Sequence, residues 1–334
     1  MAKYHLNAED ERSHVPTADS NFNESVYVNG IDHQARTGFW MRLGNRVNEG
    51  YAELQLCGYL PDGRLLCQFQ RPKISSNEQF SAGGMHYAVL NSFSEVAMSY
   101  EGEVFVLDDL NMLRNPRQMF VEAPRVDARI ESRLTRLSPV YGGAPVDDQQ
   151  KTMYGRDFSL GHFFQHMRTA ASIELGDETV KVDGFGWRDH SWGPRYWTNI
   201  NFYRLFIVNF DNGDGFTLLK ITDRDGTTRR VGVMNIDGQF EEIIDADLLT
   251  GWTELKDPEQ MTLALRTTQR TAVLSGRVET LAPLRNRRRL DDGTQLETRI
   301  AEGFTRWQWG ELSGYGLAEY IERVEDGVPV GYPM

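Results

Sequence analysis

The residues best suited to chemistry lie in one short stretch, GFGWRDHSWGPRYW, which spans residues 184–197. It places a histidine and an aspartate among three tryptophans and a tyrosine. The imidazole of histidine titrates near neutral pH and is the most frequent general acid or base in enzymes. Aromatic rings can stabilise a positive charge that develops on a bound molecule. The stretch therefore predicts proton transfer next to an apolar substrate.

If residues 186–192 form a strand, side-chain alternation divides them between two faces. One face carries Arg188, His190 and Trp192, and the other carries Trp187, Asp189 and Ser191. The first face combines a titratable imidazole with a fixed cation and an indole, which suits catalysis. A structural role is the alternative, because a histidine and an aspartate often form a satisfied polar pair and tryptophans often fill a barrel core.

A second group of polar residues lies in GHFFQHMR, residues 161–168. His162 and His166 share one face of a strand, and Gln165 lies on the other. Two histidines four residues apart on a helix can bind zinc, but this segment lacks the required glutamate and continues into a strand-like run, so we expect no metal site. We expect Gln165 or His166 to line a cavity and His162 to be exposed.

The composition argues against several classes of partner. The 334 residues carry a net charge of −12, whereas nucleic-acid binding requires a basic surface. The sequence has no apolar run of membrane-spanning length and no signal or transit pattern, so we expect a cytoplasmic protein without stable membrane insertion. It also lacks the motifs of phosphate loops, dinucleotide-binding folds and serine hydrolases, and we expect no cofactor.

Asn-Gly and Asp-Gly pairs recur along the chain and separate short runs rich in β-branched and aromatic residues. This spacing predicts antiparallel hairpins and an all-β fold with few short helices. A long all-β chain must protect its sheet edges, and closure into barrels does so. We therefore expect a flexible tail over residues 1–19 and two β-barrels, over residues 20–180 and 181–334.

The two cysteines lie on two strands that a turn at Asp62-Gly63 is expected to join. A two-residue turn there pairs Cys57 with Gln68, so that the two thiols point to opposite faces. We therefore expect no disulfide bond between Cys57 and Cys67.

Three stretches of the chain together resemble one known family. They are GFGWRDHSWGPRYW, the preceding GHFFQHMRTAASIELGDETVKVDG and the ending GYGLAEYIERVEDGVPVGYP. The resemblance is to the hydroxyneurosporene synthase-like family, which includes the bacterial carotenoid 1,2-hydratases, and it covers residues 20–334. Its most specific element is the set Asp189, His190, Trp192 and Gly193.

The resemblance implies two lipocalin-like (calycin) barrels packed side by side, a largely apolar cavity, and the addition of water to isoprenoid double bonds. By position, it places the family's acid/base histidine on His190 and its cation-supporting tryptophan on Trp192. The chain differs from the carotenoid hydratases because residues 216–223, FTLLKITD, hold no Tyr-x-Asp counterpart of a further tyrosine and acid. Candidates for that missing group are Asp189, Tyr203 and Glu319.

These features predict an acid/base enzyme for a hydrophobic small molecule such as a terpenoid, a steroid or a polyketide, which adds or removes water or isomerises a double bond. His190 would exchange the proton, and Asp189 and Trp192 would complete the catalytic group. Arg188 would either tune the charge of His190 or hold a substrate oxygen. The expected substrate-binding residues also include Trp187, Tyr196, Trp197, Tyr203, Gln165, His166 and Glu319.

Two other functions stay open at this point. One is a non-catalytic lipocalin-like carrier of a hydrophobic ligand, in which the arginine and histidine only anchor a polar group. The other is a structural role, in which Trp187 and Asp189 help to seal two barrels together. A homodimer also stays open.

Overall fold

The computed structural model describes residues 3–147, 159–196, 200–289 and 293–334, apart from the side chain of residue 288. Within these ranges the chain is mostly β-strand, with one α-helix, α1 (Pro116–Glu122), and 3₁₀ turns at Ala8–Glu11, Val47–Glu49 and Leu110–Arg114. None of these helical segments has both the length and the apolar character needed to cross a membrane. The strands are β1 (Tyr4–His5), β2 (Phe22–Asp32), β3 (Thr37–Arg46), β4 (Tyr51–Tyr59), β5 (Leu65–Gln70), β6 (Ser81–Ala82), β7 (Met85–Asn91), β8 (Glu95–Leu107), β9 (Arg125–Arg136), β10 (Tyr141–Pro145), β11 (Gly161–Leu175), β12 (Glu178–Pro194), β13 (Ile200–Phe210), β14 (Gly215–Asp223), β15 (Thr228–Ile236), β16 (Gln239–Glu242), β17 (Asp245–Trp252), β18 (Pro258–Arg266), β19 (Thr271–Arg289), β20 (Gln295–Trp309), β21 (Leu312–Glu325) and β22 (Val328–Pro329).

Two compact units divide the chain, and the first comprises residues 1–106 and 124–197. It holds a 12-stranded antiparallel sheet built from β1 to β12. Within this sheet, β2-β3-β4-β5-β8-β9-β11-β12 form a closed ring, because β9 pairs with both β8 and β11 and because β12 pairs with β2. Closure removes the free edges that an open sheet exposes. The predicted barrel is confirmed for this unit.

Alternate side chains of β2 and β12 face the core of the first barrel. On β2, Val26 and Val28 belong to a buried apolar core that also includes Met41. On β12, His190 lies opposite Val26 and Arg188 lies opposite Val28 in the antiparallel ladder. Directly paired residues share a face of the sheet, so the arginine and the histidine are on the core side of the barrel.

The second unit comprises residues 107–123 and 198–334. Its 10-stranded sheet runs in the order β16-β15-β14-β13-β21-β20-β19-β18-β17, and β22 pairs with β21. The two end strands, β16 and β17, follow one another in the chain. One apolar core packs on this sheet and includes Phe206 of β13, Leu263 of β18 and Trp307 of β20. The 3₁₀ turn Leu110–Arg114 packs on β19.

The limits of the first unit differ from the expected ones. The expected boundary at residue 180 falls inside β12, whose pairing with β2 continues to Pro194. The chain therefore leaves this barrel only after that residue. The segment before residue 20, expected to be a flexible tail, contributes the buried Glu11, whose carboxylate forms an ion pair with Arg188.

The predicted register of the cysteine hairpin was wrong by one residue. Cys57 lies directly opposite Cys67 in the ladder between β4 and β5. The reason is the loop, because the amide of Leu60 donates to the carbonyl of Arg64 at 2.9 Å, which leaves three residues between them instead of two. Both cysteines are buried and free of a disulfide bond.

Candidate functional site

A buried ion pair lies on the core side of β12. The guanidinium of Arg188 donates two hydrogen bonds to the carboxylate of Glu11, at 2.6 and 2.9 Å. Gln165, opposite Arg188 on β11, accepts two more through Oε1 at 3.0 and 2.9 Å. The side-chain nitrogen of Gln165 in turn donates to the carbonyls of Phe93 and Ser138. These contacts hold the N-terminal segment against the barrel.

His190 lies two residues further along the same face. Its Nε2 is 2.6 Å from Oε1 of Glu24, and both side chains are 0% exposed. The same carboxylate oxygen lies 2.9 Å from Nδ1 of His14, whose backbone amide donates to Oε2 of Glu24 at 3.1 Å. One buried carboxylate therefore bridges two imidazoles from segments that are far apart in the sequence.

Aromatic rings surround His190. The ring centroids of Phe80, Phe163 and Trp192 lie 5.4, 5.4 and 5.6 Å from the centroid of its imidazole. The ring of His14 stacks on the indole of Trp192, with centroids 3.9 Å apart and planes 12° apart. Side chains of the protein therefore pack against both His190 and Trp192, the two residues expected to face an enclosed apolar cavity.

Trp192 depends on a glycine for its position. Gly161 lies directly opposite it in the ladder between β11 and β12. A Cβ atom at residue 161 would lie 2.0 Å from the Cζ2 atom of the indole, which is far inside van der Waals contact. Any side chain at this position would therefore displace the indole.

Burial and hydrogen bonding act in opposite directions on the ionisable groups of this cluster. Burial raises the pKa of Glu24, but the hydrogen bonds and charges of His14 and His190 outweigh it and lower that pKa below the ordinary value. Burial lowers the pKa of His14, but its hydrogen bonds to Glu24 and Asp10 and their charges raise it above the ordinary value. The cluster therefore favours an ionised carboxylate beside a positive imidazole.

The other face of β12 carries Trp187 and Asp189, as the alternation predicts. Oδ2 of Asp189 lies 3.1 Å from Nε2 of His162, so that His162 is buried and paired instead of exposed as expected. Trp187 is buried and stacks on Phe164 with centroids 5.3 Å apart. His166 lies opposite Trp187 and is also buried. Asp189 therefore has a histidine partner, and that partner comes from the neighbouring strand.

The remaining residues of the motif lie near the end of β12. Tyr196, expected to contact substrate, is 40% exposed. Trp197, also expected to contact substrate, lies outside the described residues. Arg188 and Gln165, expected to contact a substrate oxygen and a cavity, form the hydrogen bonds described above with protein groups.

The second unit contains a separate cluster built from Tyr203, Glu319 and Glu302. The hydroxyl of Tyr203 donates to Oε2 of Glu319 at 2.5 Å. Glu302 lies directly opposite Glu319 in the ladder between β20 and β21. Tyr203 and Glu302 are only 5% and 6% exposed. The structure thus brings together two residues that the sequence singled out, Tyr203 and Glu319, with one that it did not.

The surroundings of this acidic cluster are apolar. Leu205 pairs with Glu319 across the ladder, and Leu317 and Phe304 occupy the same face two residues further along their strands. All three are buried. Burial, together with the charge of Glu319 and a hydrogen bond to it, raises the pKa of Glu302 well above the ordinary glutamate value. The pair therefore retains one proton at a pH where an ordinary glutamate has lost it.

Sequence reasoning missed four residues of these clusters, and two of them had a readable signal. Glu24 lies two residues before Val26 on β2, so both side chains are on the same apolar face. Glu302 likewise lies on a face of β20 that carries apolar residues. An acid on the apolar face of a strand is unusual and marks a paired or functional group. Glu11 and His14 had no such signal, because they precede the first barrel strand.

A family model described as "Domain of unknown function (DUF7064)" matches residues 7–324 of the chain. No curated protein matches the sequence significantly.

Solved structures share the fold over almost the whole chain. A protein provisionally assigned as AttH from Nitrosomonas europaea matches with a TM-score of 0.63 and 15% identity, over 95% of this chain and 96% of that chain. CghA matches with a TM-score of 0.59 and 10% identity, over 96% of this chain and 94% of that chain. Kievitone hydratase from Nectria haematococca matches with a TM-score of 0.55 and 9% identity, over 93% of both chains. These matches confirm the lipocalin-like all-β fold and, at the level of the fold, the predicted resemblance to carotenoid hydratase-like proteins.

Proposed function

This chain belongs to the family of the domain of unknown function DUF7064, and we propose that it is an acid/base enzyme acting on a hydrophobic small molecule. The proposed reaction adds or removes water, or moves a double bond. A terpenoid, a steroid or a polyketide is the proposed class of substrate. The proposed acid/base group is the cluster of Tyr203, Glu319 and Glu302, in which Glu302 donates the proton.

One observation carries the proposal: a carboxyl group of raised pKa lies on an apolar face, next to a second carboxyl group. A general acid is effective when it is still protonated at the working pH. Two carboxyl groups whose environments separate their pKa values can divide the roles of acid and base between them. Glu302 suits the acid, and Glu319, held by the hydroxyl of Tyr203, suits the base.

In the hydration direction, Glu302 gives its proton to one carbon of a double bond, and positive charge develops on the other carbon. A water molecule adds to that second carbon, and Glu319 takes the proton that the water loses. The substrate gains one water molecule, and the hydrogen bond between the two carboxyl groups returns the proton to Glu302. Dehydration is the reverse sequence. Loss of a carbon-bound proton to Glu319, in place of water addition, moves the double bond.

The solved neighbours support a reaction of this type. Kievitone hydratase is a hydratase by its name, and its fold covers 93% of this chain. CghA has been solved with Sch210972. Because one fold supports many activities, the proposal depends on the acidic pair and the neighbours add to it.

The residues of the tryptophan-rich motif have a smaller part in this proposal. Nε2 of His190 is hydrogen-bonded to Glu24, and aromatic rings surround the imidazole. We therefore assign the substrate proton to Glu302. Direct roles for His190, Asp189 and Trp192 in catalysis stay predictions.

The test compares the full-length protein with its Glu302→Gln variant on extracts of hydrophobic metabolites. Glutamine has the shape of the protonated acid and can donate a hydrogen bond to Glu319, so the variant should fold, but it has no acidic proton to give. Reactions in water labelled with heavy oxygen or with deuterium, followed by mass spectrometry, detect added water and proton exchange at carbon. We expect the variant to label a substrate about 100- to 10,000-fold more slowly than the wild type.

Glu311→Gln is the matched control, because Glu311 is an exposed acid in the turn between β20 and β21. This variant should label at the wild-type rate. Equal labelling by the wild type and Glu302→Gln would refute the proposal. Recovery of a bound hydrophobic molecule that is never labelled would refute it as well and would favour the carrier.

A further inference from the structure

The bridge between His14, Glu24 and His190 brings together three groups that bind metal ions. His14, Glu24 and His190 each offer one ligand atom, and the three atoms lie within 4.8 Å of one another. Oε1 of Glu24 is hydrogen-bonded to Nδ1 of His14 and to Nε2 of His190. The three residues come from the N-terminal segment, from β2 and from β12. Three separate parts of the chain therefore converge on one point.

We propose that these three side chains form a binding site for a divalent transition-metal ion, with Zn²⁺ as the first ion to test. Two imidazoles and one carboxylate are a donor set that zinc and iron use in proteins, where they leave further coordination positions for water or a substrate. Glu24 and His190 are fully buried, and the ring of His14 is 22% exposed. An ion can therefore enter on the His14 side.

An ion bound by all three atoms would require the side chains to move, because the three atoms lie within 4.8 Å of one another with the carboxylate oxygen close to both nitrogens. Oε1 of Glu24 now lies 2.6 Å from Nε2 of His190 and 2.9 Å from Nδ1 of His14. Ligand atoms about 2.0–2.1 Å from a tetrahedral zinc ion lie roughly 3.3 Å from one another. Zinc would replace the two protons of these hydrogen bonds, and the carboxylate oxygen would move away from both ring nitrogens while the rings turn to face the ion.

The hydrogen bonds that His14 and Glu24 make with residues around the cluster are of the kind that orients metal ligands. Histidines that bind metals usually donate their second ring nitrogen to a carboxylate or a carbonyl. Nε2 of His14 lies 3.3 Å from Oδ1 of Asp10, and the ring stacks on Trp192. Oε2 of Glu24 accepts from the backbone amide of His14 at 3.1 Å and lies 3.4 Å from the Nδ2 atom of Asn77. Both ligands are therefore fixed in direction before an ion arrives.

Two polar atoms at this cluster have no hydrogen-bond partner within the part of the chain that the structure describes. They are Nδ1 of His190 and Oδ1 of Asn77, and both are buried. Buried polar groups are nearly always paired, and exceptions mark places where an ion, a water molecule or a chemical role completes the set. Of the two atoms, Oδ1 of Asn77 belongs to the side chain whose Nδ2 lies 3.4 Å from Oε2 of Glu24 and is therefore beside the carboxylate. Nδ1 of His190 lies on the ring edge opposite the Nε2 atom that faces Glu24.

The alternative is a hydrogen-bonded triad that ties the N-terminal segment to the barrel and binds no ion. The full-length protein, stripped with a chelator, is titrated with zinc in competition with a chromophoric chelator. We expect one zinc ion per chain in the wild type and loss of that ion in His14→Ala, a change at a partly exposed ring that should leave the fold intact. Glu24→Gln should also lose it. Asp10→Asn, which removes only the outer carboxylate, should weaken zinc binding about 10- to 100-fold.

His86→Ala is the matched control, because His86 is an exposed histidine of the same unit. It should bind zinc as the wild type does, and so should Glu302→Gln, which separates this site from the proposed catalytic pair. Cobalt bound in place of zinc should give a visible absorption band that His14→Ala lacks. Equal zinc binding by the wild type and His14→Ala would overturn the proposal and leave the hydrogen-bonded triad.

Discussion

Replacing Glu302 by glutamine should change how the stability of the protein depends on pH. The pKa of Glu302 in the folded protein is raised well above the ordinary value of 4.5, first by burial and then by Glu319. The folded state therefore holds a proton that the unfolded chain releases. The stability that this proton provides is fully present below pH 4.5 and is lost as the pH rises through the folded pKa.

The size of the effect follows from proton linkage. Where the folded state binds one more proton than the unfolded state, the free energy of unfolding falls by about 1.4 kcal/mol per pH unit. The Glu302→Gln variant has no such proton. The free energy of unfolding of the wild type, minus that of the variant, should therefore decrease with this slope between pH 4.5 and the folded pKa.

Urea denaturation followed by tryptophan fluorescence, repeated from about pH 5 to about pH 8, measures the free energy of unfolding of the wild type and of the variant as a function of pH. The Glu311→Gln control should run parallel to the wild type over this range, because its side chain is solvated before and after unfolding. Parallel curves for the wild type and Glu302→Gln would refute the reasoning. They would show that Glu302 holds no extra proton, and the proposed general acid would lose its physical basis.

Three other perturbations test the packing of the first unit. Gly161→Ala should lower the free energy of unfolding by about 1–3 kcal/mol, because the Cβ atom of the alanine would lie 2.0 Å from the indole of Trp192. An unchanged urea midpoint would contradict this prediction. Glu11→Ala should lower the free energy of unfolding by about 3–5 kcal/mol in the same assay, because it leaves the buried guanidinium of Arg188 without its carboxylate. A variant as stable as the wild type would show that this ion pair does not hold the N-terminal segment. Burial raises the pKa of the Cys67 thiol to about 12, and only the thiolate form of cysteine is reactive. A thiol reagent should therefore label Cys67 in the unfolded protein and not in the native protein. Rapid labelling of the native protein would argue against this burial.

Local rules were enough to predict which way the side chains of β12 point. Successive side chains of a strand face opposite sides, and the ladders place Arg188 and His190 with the core and Trp187 and Asp189 on the other face, as predicted. The recurring turn residues and β-branched runs were likewise enough to predict antiparallel all-β units. The motif itself was also visible in the sequence, because its residues are neighbours in the chain.

Only the tertiary structure decided what those side chains meet. Glu24 reaches His190 across 166 residues of sequence, and Glu11 reaches Arg188 across 177. Glu302 meets Glu319 because of the register of two strands, and the one-residue shift at Cys57 shows how a single loop changes such a register. Periodicity is a property of one strand, whereas barrel closure, strand order and register depend on the whole chain. For that reason the sequence could place an imidazole on an inward face, and only the fold could show that a carboxylate and four aromatic rings enclose it there.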